Sequence, residues 1–244
     1  MPSHYIYSKG DEAENIASMR GYATRKQEID KMLSYLIEPY IKDKTLRLLD
    51  AACGIGHLSA ILGEMSPTST FFGVDQTAAF VEEAKKLYAS NAQASFRVMD
   101  VEDMPIEFSK AFDVTVCRGV ISWIPYYEEF MTALMAVTKD HIFVSSLFYD
   151  GDIDFEIRVR EFQKEGARDG FNKFYNVYSF SRFKKFLLAS GARDVVPFDF
   201  NIGIELPRGS ADSMGTYTVK LDTGELLQIS GAVVMSWKWV RIDM

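Results

Sequence analysis

An apolar run, Leu46-Arg47-Leu48-Leu49, closes on Asp50-Ala51-Ala52 and then passes Gly54-Ile55-Gly56, and this feature narrows the fold more than any other. Leu58, Ile61 and Leu62 follow at helical spacing, so the stretch reads as strand, tight turn, helix. Two glycines one residue apart let the backbone bend sharply and approach a bound molecule with no Cβ in the way, while the following helix presents unpaired N–H groups. The string Gly54-x-Gly56-x-x-Ser59 falls one glycine short of the dinucleotide fingerprint. A nucleotide-type ligand is expected on this turn, and a purely structural turn is the alternative.

Four more strands follow, separated by helical patterns. Ser69 to Val74 ends at Asp75, 19 residues beyond Gly56. A nucleotide fold places there the carboxylate that accepts ribose hydroxyls; the alternative role is a helix cap. Ala94 to Met99 is followed by Asp100-Val101-Glu102-Asp103, and Phe112 to Cys117 by Arg118-Gly119-Val120-Ile121-Ser122-Trp123. Gly119 permits close backbone approach at a strand's C-terminal end, the edge of an open α/β sheet where ligands bind. His141 to Leu147 is the fifth strand. Strands alternating with helices predict an α/β fold around a parallel sheet.

The run Leu48-Leu49-Asp50-Ala51-Ala52-Cys53-Gly54-Ile55-Gly56-His57-Leu58-Ser59 resembles the first motif of class I S-adenosylmethionine-dependent methyltransferases, D-x-G-C-G-x-G, with Ala52 where the first glycine usually stands. The likeness continues through the next three motifs and covers residues 40 to 150. It implies a Rossmann-like seven-stranded sheet, five parallel strands plus antiparallel terminal strands, with helices on both faces. It implies S-adenosylmethionine as cofactor, with Asp50, Ala52, Gly54 and Gly56 at the turn, Asp75 at the ribose and Gln76 beside it among the cofactor-binding residues. Asp100 and Val101 then meet the adenine, with Glu102 and Asp103 as rivals, and Cys117, Arg118 and Gly119 meet the methionine end. In similar methyltransferases the segment before the first motif closes over the cofactor, so Tyr22 and Arg25 are expected to pack on it or pair its carboxylate. The whole chain is expected to form one domain: lid and helix over 1–44, cofactor core over 45–150, acceptor side over 151–244.

Outside the motifs, Thr24 is expected to cap a helix from Arg25 that stops at Pro39. A charged helix is expected over 155–165, a substrate-facing loop over 166–180, and a helix from Ser181 closed by Gly191. Asp194 to Phe200 reads as a sixth strand. Thr216 to Leu221 and Leu226 to Ser230 alternate around Asp222-Thr223-Gly224-Glu225 as an added β-hairpin, before a last strand from Trp237 to Ile242. The hairpin is expected to pack on its own domain, with a homodimer as the other way to bury its apolar face.

A positioned base would help a hydroxyl acceptor. Of the three histidines, His57 stands beside the turn and is the first candidate; Asp152, Asp154 and Tyr175 are the others. The expected acceptor is an oxygen or nitrogen of a small molecule or saccharide. A protein or peptide acceptor, a nicotinamide dehydrogenase and a non-catalytic cofactor-binding module are the rival readings. A net charge of −7 argues against broad nucleic-acid binding. Cys53 and Cys117 give neither a disulfide framework nor metal-ligand spacing, and are expected as buried thiols. With no apolar stretch near the ~18 residues that span a bilayer and no leader pattern at the start, a cytoplasmic protein is expected.

Overall fold

A computed structural model of the chain describes residues 12–23, 27–161, 171–209 and 215–244. Its centre is a sheet in the order β3-β2-β1-β4-β5-β12-β9. The first five strands are β1 (Arg47–Ala51), β2 (Thr70–Asp75), β3 (Ala94–Val98), β4 (Phe112–Arg118) and β5 (Thr138–Tyr149), and they are mutually parallel. β12 (Trp237–Asp243) pairs antiparallel with β5 on one side and with β9 (Asp194–Asp199) on the other, so β12 alone is reversed and β9 runs with the first five. Strand order changes direction between β1 and β4, which places the ligand-binding crevice at the C-terminal ends of those strands.

Both faces of the sheet are covered, and the period-two alternation of the strands divides their side chains between them. Leu48, Phe71, Val114, Val116, Phe143 and Trp239 pack under α2 (Glu28–Ile41) and α3 (His57–Met65). Leu49, Val74, Ile142, Val144 and Val240 pack on the other face against α6 (Glu128–Val137) and α7 (Phe180–Ala189). α4 (Ala78–Leu87) covers β3 through Val81, Ala84 and Phe96, and α5 (Met104–Glu107) is a single turn before β4.

Several expected elements change. Residues Glu12–Ala23 form α1, although their apolar positions mark no single face, and α1 is tied to α4 by Arg20, whose Nε and Nη2 donate to Glu83 Oε1 at 2.8 and 2.5 Å. α2 begins after Gln27 and runs through Pro39 to Ile41. Leu33, Ile37 and Ile41 are fully buried, and that stripe carries the helix two residues past Pro39 despite the hydrogen bond the proline costs. The expected Thr24 cap lies outside the described residues.

The charged segment after 155 is a strand, β6 (Arg158–Glu161), paired antiparallel with β7 (Phe171–Phe174). Phe155, Ile157 and Val159 alternate with Glu156, Arg158 and Arg160, the two-residue period of a strand. β8 (Tyr178–Ser179) adds a short parallel pairing to the end of β5. α7 then starts at Phe180, with Ser179 Oγ rather than Ser181 accepting from Arg182 N–H at 3.3 Å.

The added hairpin forms as β10 (Thr216–Lys220) and β11 (Leu226–Ser230). The outer edge of β10 is engaged within the chain: Thr218 N–H donates to Leu206 O at 3.1 Å, and Leu206 N–H to Thr218 Oγ1 at 2.8 Å.

Candidate functional site

The turn after β1 is built on three left-handed residues, Ala52 (φ 56°), Gly54 (φ 54°) and Gly56 (φ 85°). Ala52 adopts a conformation that strains any residue with a Cβ, where the motif's usual glycine would not be strained. Asp50 is buried and does not face a ligand: its Oδ2 accepts from Ser59 N–H at 3.1 Å and from Ser59 Oγ at 3.0 Å, fastening the end of β1 to the start of α3. Burial pushes its carboxyl up to about 7, against the pull of those Ser59 bonds. A Cβ on Gly56 would lie 2.9 Å from both the Phe96 and Tyr88 rings, so this glycine serves the turn's own packing.

Asp75 ties two turns together. Its Oδ2 accepts from Gly54 N–H at 2.9 Å and its Oδ1 from Thr77 N–H at 2.8 Å, so the carboxylate at the end of β2 is held in a fixed plane beside the glycine turn. Burial raises its pKa, opposed by those backbone donors. The Thr77 side chain donates to the same carboxylate, which retains acceptor capacity toward the cavity.

Around this frame lies a cavity of about 200 Å³. Of the expected cofactor residues, Ala52, Gly54, Asp75, Gln76, Asp100, Val101, Arg118 and Gly119 line it. Asp50, Gly56 and Cys117 do not; the Cys117 thiol is buried in the core, and burial raises its pKa. Arg25 and the Tyr22 side chain lie outside the described residues. Asp100 Oδ1 also caps its own turn, accepting from Glu102 N–H at 3.0 Å. Phe80, Met99, Val120, Ile124 and Phe130 add an apolar lining that sequence reasoning did not single out. Met19 of α1 completes the wall; its Sδ would be 3.3 Å from a Cβ at Gly54.

A second cavity of about 1200 Å³ adjoins the first, and the two share Arg118, Gly119 and Trp123. It is walled by Gln27 and by Glu28, Ile29 and Lys31 of α2, by Ser145, Tyr175 and Trp237, and by Phe200, Ile202, Ile204, Leu206 and Pro207 ahead of the hairpin. Tyr175 stacks at a tilt on Trp123, centroids 4.8 Å apart, and burial raises its phenol pKa.

The other catalytic candidates lie elsewhere. His57 lines neither cavity; its Nε2 is 2.8 Å from Asp30 Oδ2, and its buried Nδ1 has no partner among the described residues. Asp154 Oδ1 accepts from Ser179 N–H at 2.7 Å and Asp152 Oδ1 from Ser181 Oγ at 2.9 Å, so both acids secure the start of α7. Short polar side chains find such open helix N–H groups readily. The group that sequence reasoning missed is Asp30, fully buried on α2, whose Oδ1 accepts from Arg118 Nη1 at 2.5 Å. Its signal was present: an acid placed three and seven residues before Leu33 and Ile37 sits on the buried stripe and requires a cationic partner.

Comparison with known proteins agrees with this architecture. A family described as a methyltransferase domain matches residues 42–173, just over half of the chain. The chain belongs to the class I S-adenosylmethionine-dependent methyltransferase family. A malonyl-[acyl-carrier protein] O-methyltransferase from Legionella pneumophila is 28% identical over 113 residues, 46% of this chain and 37% of that protein. An uncharacterised Rickettsia prowazekii protein is 31% identical over 83 residues, 33% of each. The chain thus spans about a third of the length of these curated relatives.

Among solved structures, the 1,6-didemethyltoxoflavin-N1-methyltransferase of Burkholderia thailandensis superposes with a TM-score of 0.58 at 12% identity, covering 99% of this chain and 92% of that one. The magnesium protoporphyrin IX methyltransferase of Synechocystis gives 0.52 at 13% identity, covering 98% and 86%. At such identities the likeness is one of fold. Among the described residues no helix is long and apolar enough to cross a membrane.

Proposed function

We propose that this chain transfers the methyl group of S-adenosylmethionine, bound in the smaller cavity, to an oxygen or nitrogen of a small molecule bound in the larger one. The observation that carries the reading is the junction: the two cavities meet at Arg118, Gly119 and Trp123, at the C-terminal edge of the sheet beside its switch point.

The residues of the smaller cavity fit the cofactor. Asp75 offers fixed acceptors to a ribose diol, and Asp100 with Val101 offers a carboxylate and a backbone N–H beside the apolar slot of Phe80, Met99 and Phe130, which suits an adenine ring. Gly54 lets backbone approach the methionine portion, and the Arg118-Gly119 backbone stands at the same end. Tyr22 and Arg25 are proposed to close the site from the N-terminal side. At about 200 Å³ the cavity is smaller than the ~300–1,000 Å³ of ordinary small-molecule sites, so Met19 swings away from Gly54 as the ligand enters. When bound, the cofactor supplies an electrophilic methyl group on a sulfonium.

The chain's own task is to hold an acceptor in line at near-attack distance, a contribution worth up to ~7–11 kcal/mol. Tyr175 and Trp123 wall the acceptor where the cavities meet, and the segment 200–207 closes the outer side with the hairpin behind it. Apolar side chains dominate this lining, which favours an acceptor with a hydrophobic body over a bare saccharide. The three methyltransferases named above are named for unlike acceptors, so the acceptor is argued from the cavity alone. The whole chain, including β9, β12 and the hairpin, is proposed to act as one catalytic unit.

The test is incubation of the full chain with labelled S-adenosylmethionine and fractionated extract, followed by product mass. A gain of one methylene on a small metabolite supports the reading. Label on polypeptide, or cofactor binding with no transfer, contradicts it.

A further inference from the structure

The charged residues lining the larger cavity are Glu28, Lys31 and Arg118. Glu28 Oε1 and Lys31 Nζ neutralise each other at 2.5 Å. Arg118 is placed differently, at the junction of the two cavities, and its orientation is fixed from behind. Its Nη1 donates to Asp30 Oδ1 at 2.5 Å and its Nη2 to Gln27 Oε1 at 3.1 Å. A guanidinium has five N–H donors, and among the described residues these are the partners it has, so three N–H groups remain for a ligand.

Asp30 is the reason the guanidinium can be aimed. Burial would raise its pKa, but the His57 hydrogen bond and the Arg118 charge hold its carboxyl below the usual carboxylate range, so it stays an anion in the core. His57 reaches Asp30 Oδ2 through Nε2 and leaves Nδ1 buried without a partner among the described residues. Among the described residues Asp30 is the one polar partner of the His57 ring, and Gln27 N–H donates to the same Oδ2 at 3.1 Å, so together they orient the Asp30 carboxylate. An ion pair needed only to join α2 to β4 would be replaceable by apolar residues at little loss, whereas this one ends at the wall of a ligand cavity.

Granting that the larger cavity takes the acceptor, we infer that Arg118 selects molecules with an ionised acid group on an apolar body, and that Asp30 and His57 are positioning residues holding Arg118 for that contact. The chemistry agrees with the lining. An ionised oxygen has no proton to lose before accepting a methyl group, and among the described lining residues the one carboxylate, Glu28, is already paired while the Tyr175 phenol is held protonated by burial.

The test uses the full chain saturated with S-adenosylhomocysteine and measures, by calorimetry, binding of matched probes: octanoate against 1-octanol and 3-phenylpropionate against 3-phenylpropan-1-ol. The acids are expected to bind about 10- to 100-fold more tightly than the alcohols, as for a charge-assisted contact. With each variant kept saturated by S-adenosylhomocysteine, Arg118→Met should erase that preference, and Arg118→Lys should keep part of it. His57→Ala should reduce the preference, and His57→Gln, whose amide still donates to Asp30, should restore it. Equal binding of acids and alcohols by the wild-type chain would overturn the inference. So would an Arg118→Met chain that loses S-adenosylhomocysteine affinity but keeps the acid preference, since Arg118 would then serve the cofactor's carboxylate. Failure of the wild-type chain to bind S-adenosylhomocysteine at all would instead strike the reading on which the inference rests.

Discussion

The two cavities are built in different ways. Around the smaller one every contributing turn follows a strand: Ala52 and Gly54 after β1, Asp75 and Gln76 after β2, Asp100 and Val101 after β3, Gly119 after β4. Around the larger one the walls come from the start of α2, from Tyr175 between two short strands, and from the irregular segment 200–207. A parallel sheet brings its strand ends to one edge, so backbone geometry alone positions the first set. The second set depends on side chains carried by loops, where acceptor identity can vary without disturbing the sheet.

That contrast can be broken from either side. The largest effect is expected from Gly54→Val, because a β-branched residue at φ 54° is strained and its Cβ falls 3.3 Å from Met19 Sδ. Calorimetry should find no S-adenosylhomocysteine binding, while circular dichroism still reports a folded chain. Next, replacing 216–230 by a glycine linker should abolish turnover and leave S-adenosylhomocysteine affinity near wild type. The hairpin buttresses Leu206 in the larger cavity, and among the described residues none of 216–230 lines the smaller one. Cofactor affinity that collapsed with the hairpin would mean that the two halves are not separable.

A smaller loss is expected from Asp75→Ala. Removing a charge-assisted acceptor costs ~1.5–3 kcal/mol, about 10- to 100-fold in S-adenosylhomocysteine affinity. The last prediction concerns a pH slope, with no change expected at either cavity: the Asp50 carboxyl rises from 3.8 to about 7 on burial. Between those values the folded chain holds a proton that the unfolded chain has lost, so this group makes stability fall as pH rises, by at most ~1.4 kcal/mol per pH unit. Asp50→Asn, which can still accept from Ser59 N–H, should flatten that slope in urea unfolding followed from pH 4 to pH 7.

Legibility in the sequence follows the same division. The first five strands and the turn residues of the smaller cavity were readable because each apolar run ends in a residue of distinct chemistry. The hairpin was readable from its alternation around Asp222-Thr223-Gly224-Glu225. Residues 155–161 were misread as helix because their charges masked the two-residue spacing of Phe155, Ile157 and Val159. α1 was missed because its apolar residues mark no face. His57, Asp152 and Asp154 drew attention as titratable groups near the motifs, but a side chain's partner is set by what folds beside it. His57 met Asp30, 27 residues away, and Asp154 met Ser179, 25 residues away. No local pattern encodes such pairings.

The most direct test of the two-cavity account is a crystal structure of the full chain with S-adenosylhomocysteine. The account predicts ribose hydroxyls on Asp75, the adenine between Asp100 and the Phe80–Met99–Phe130 slot, Met19 displaced from Gly54, and the sulfur facing the junction of Arg118, Gly119 and Trp123. A ligand whose sulfur points away from that junction, or one seated in the larger cavity, would contradict it.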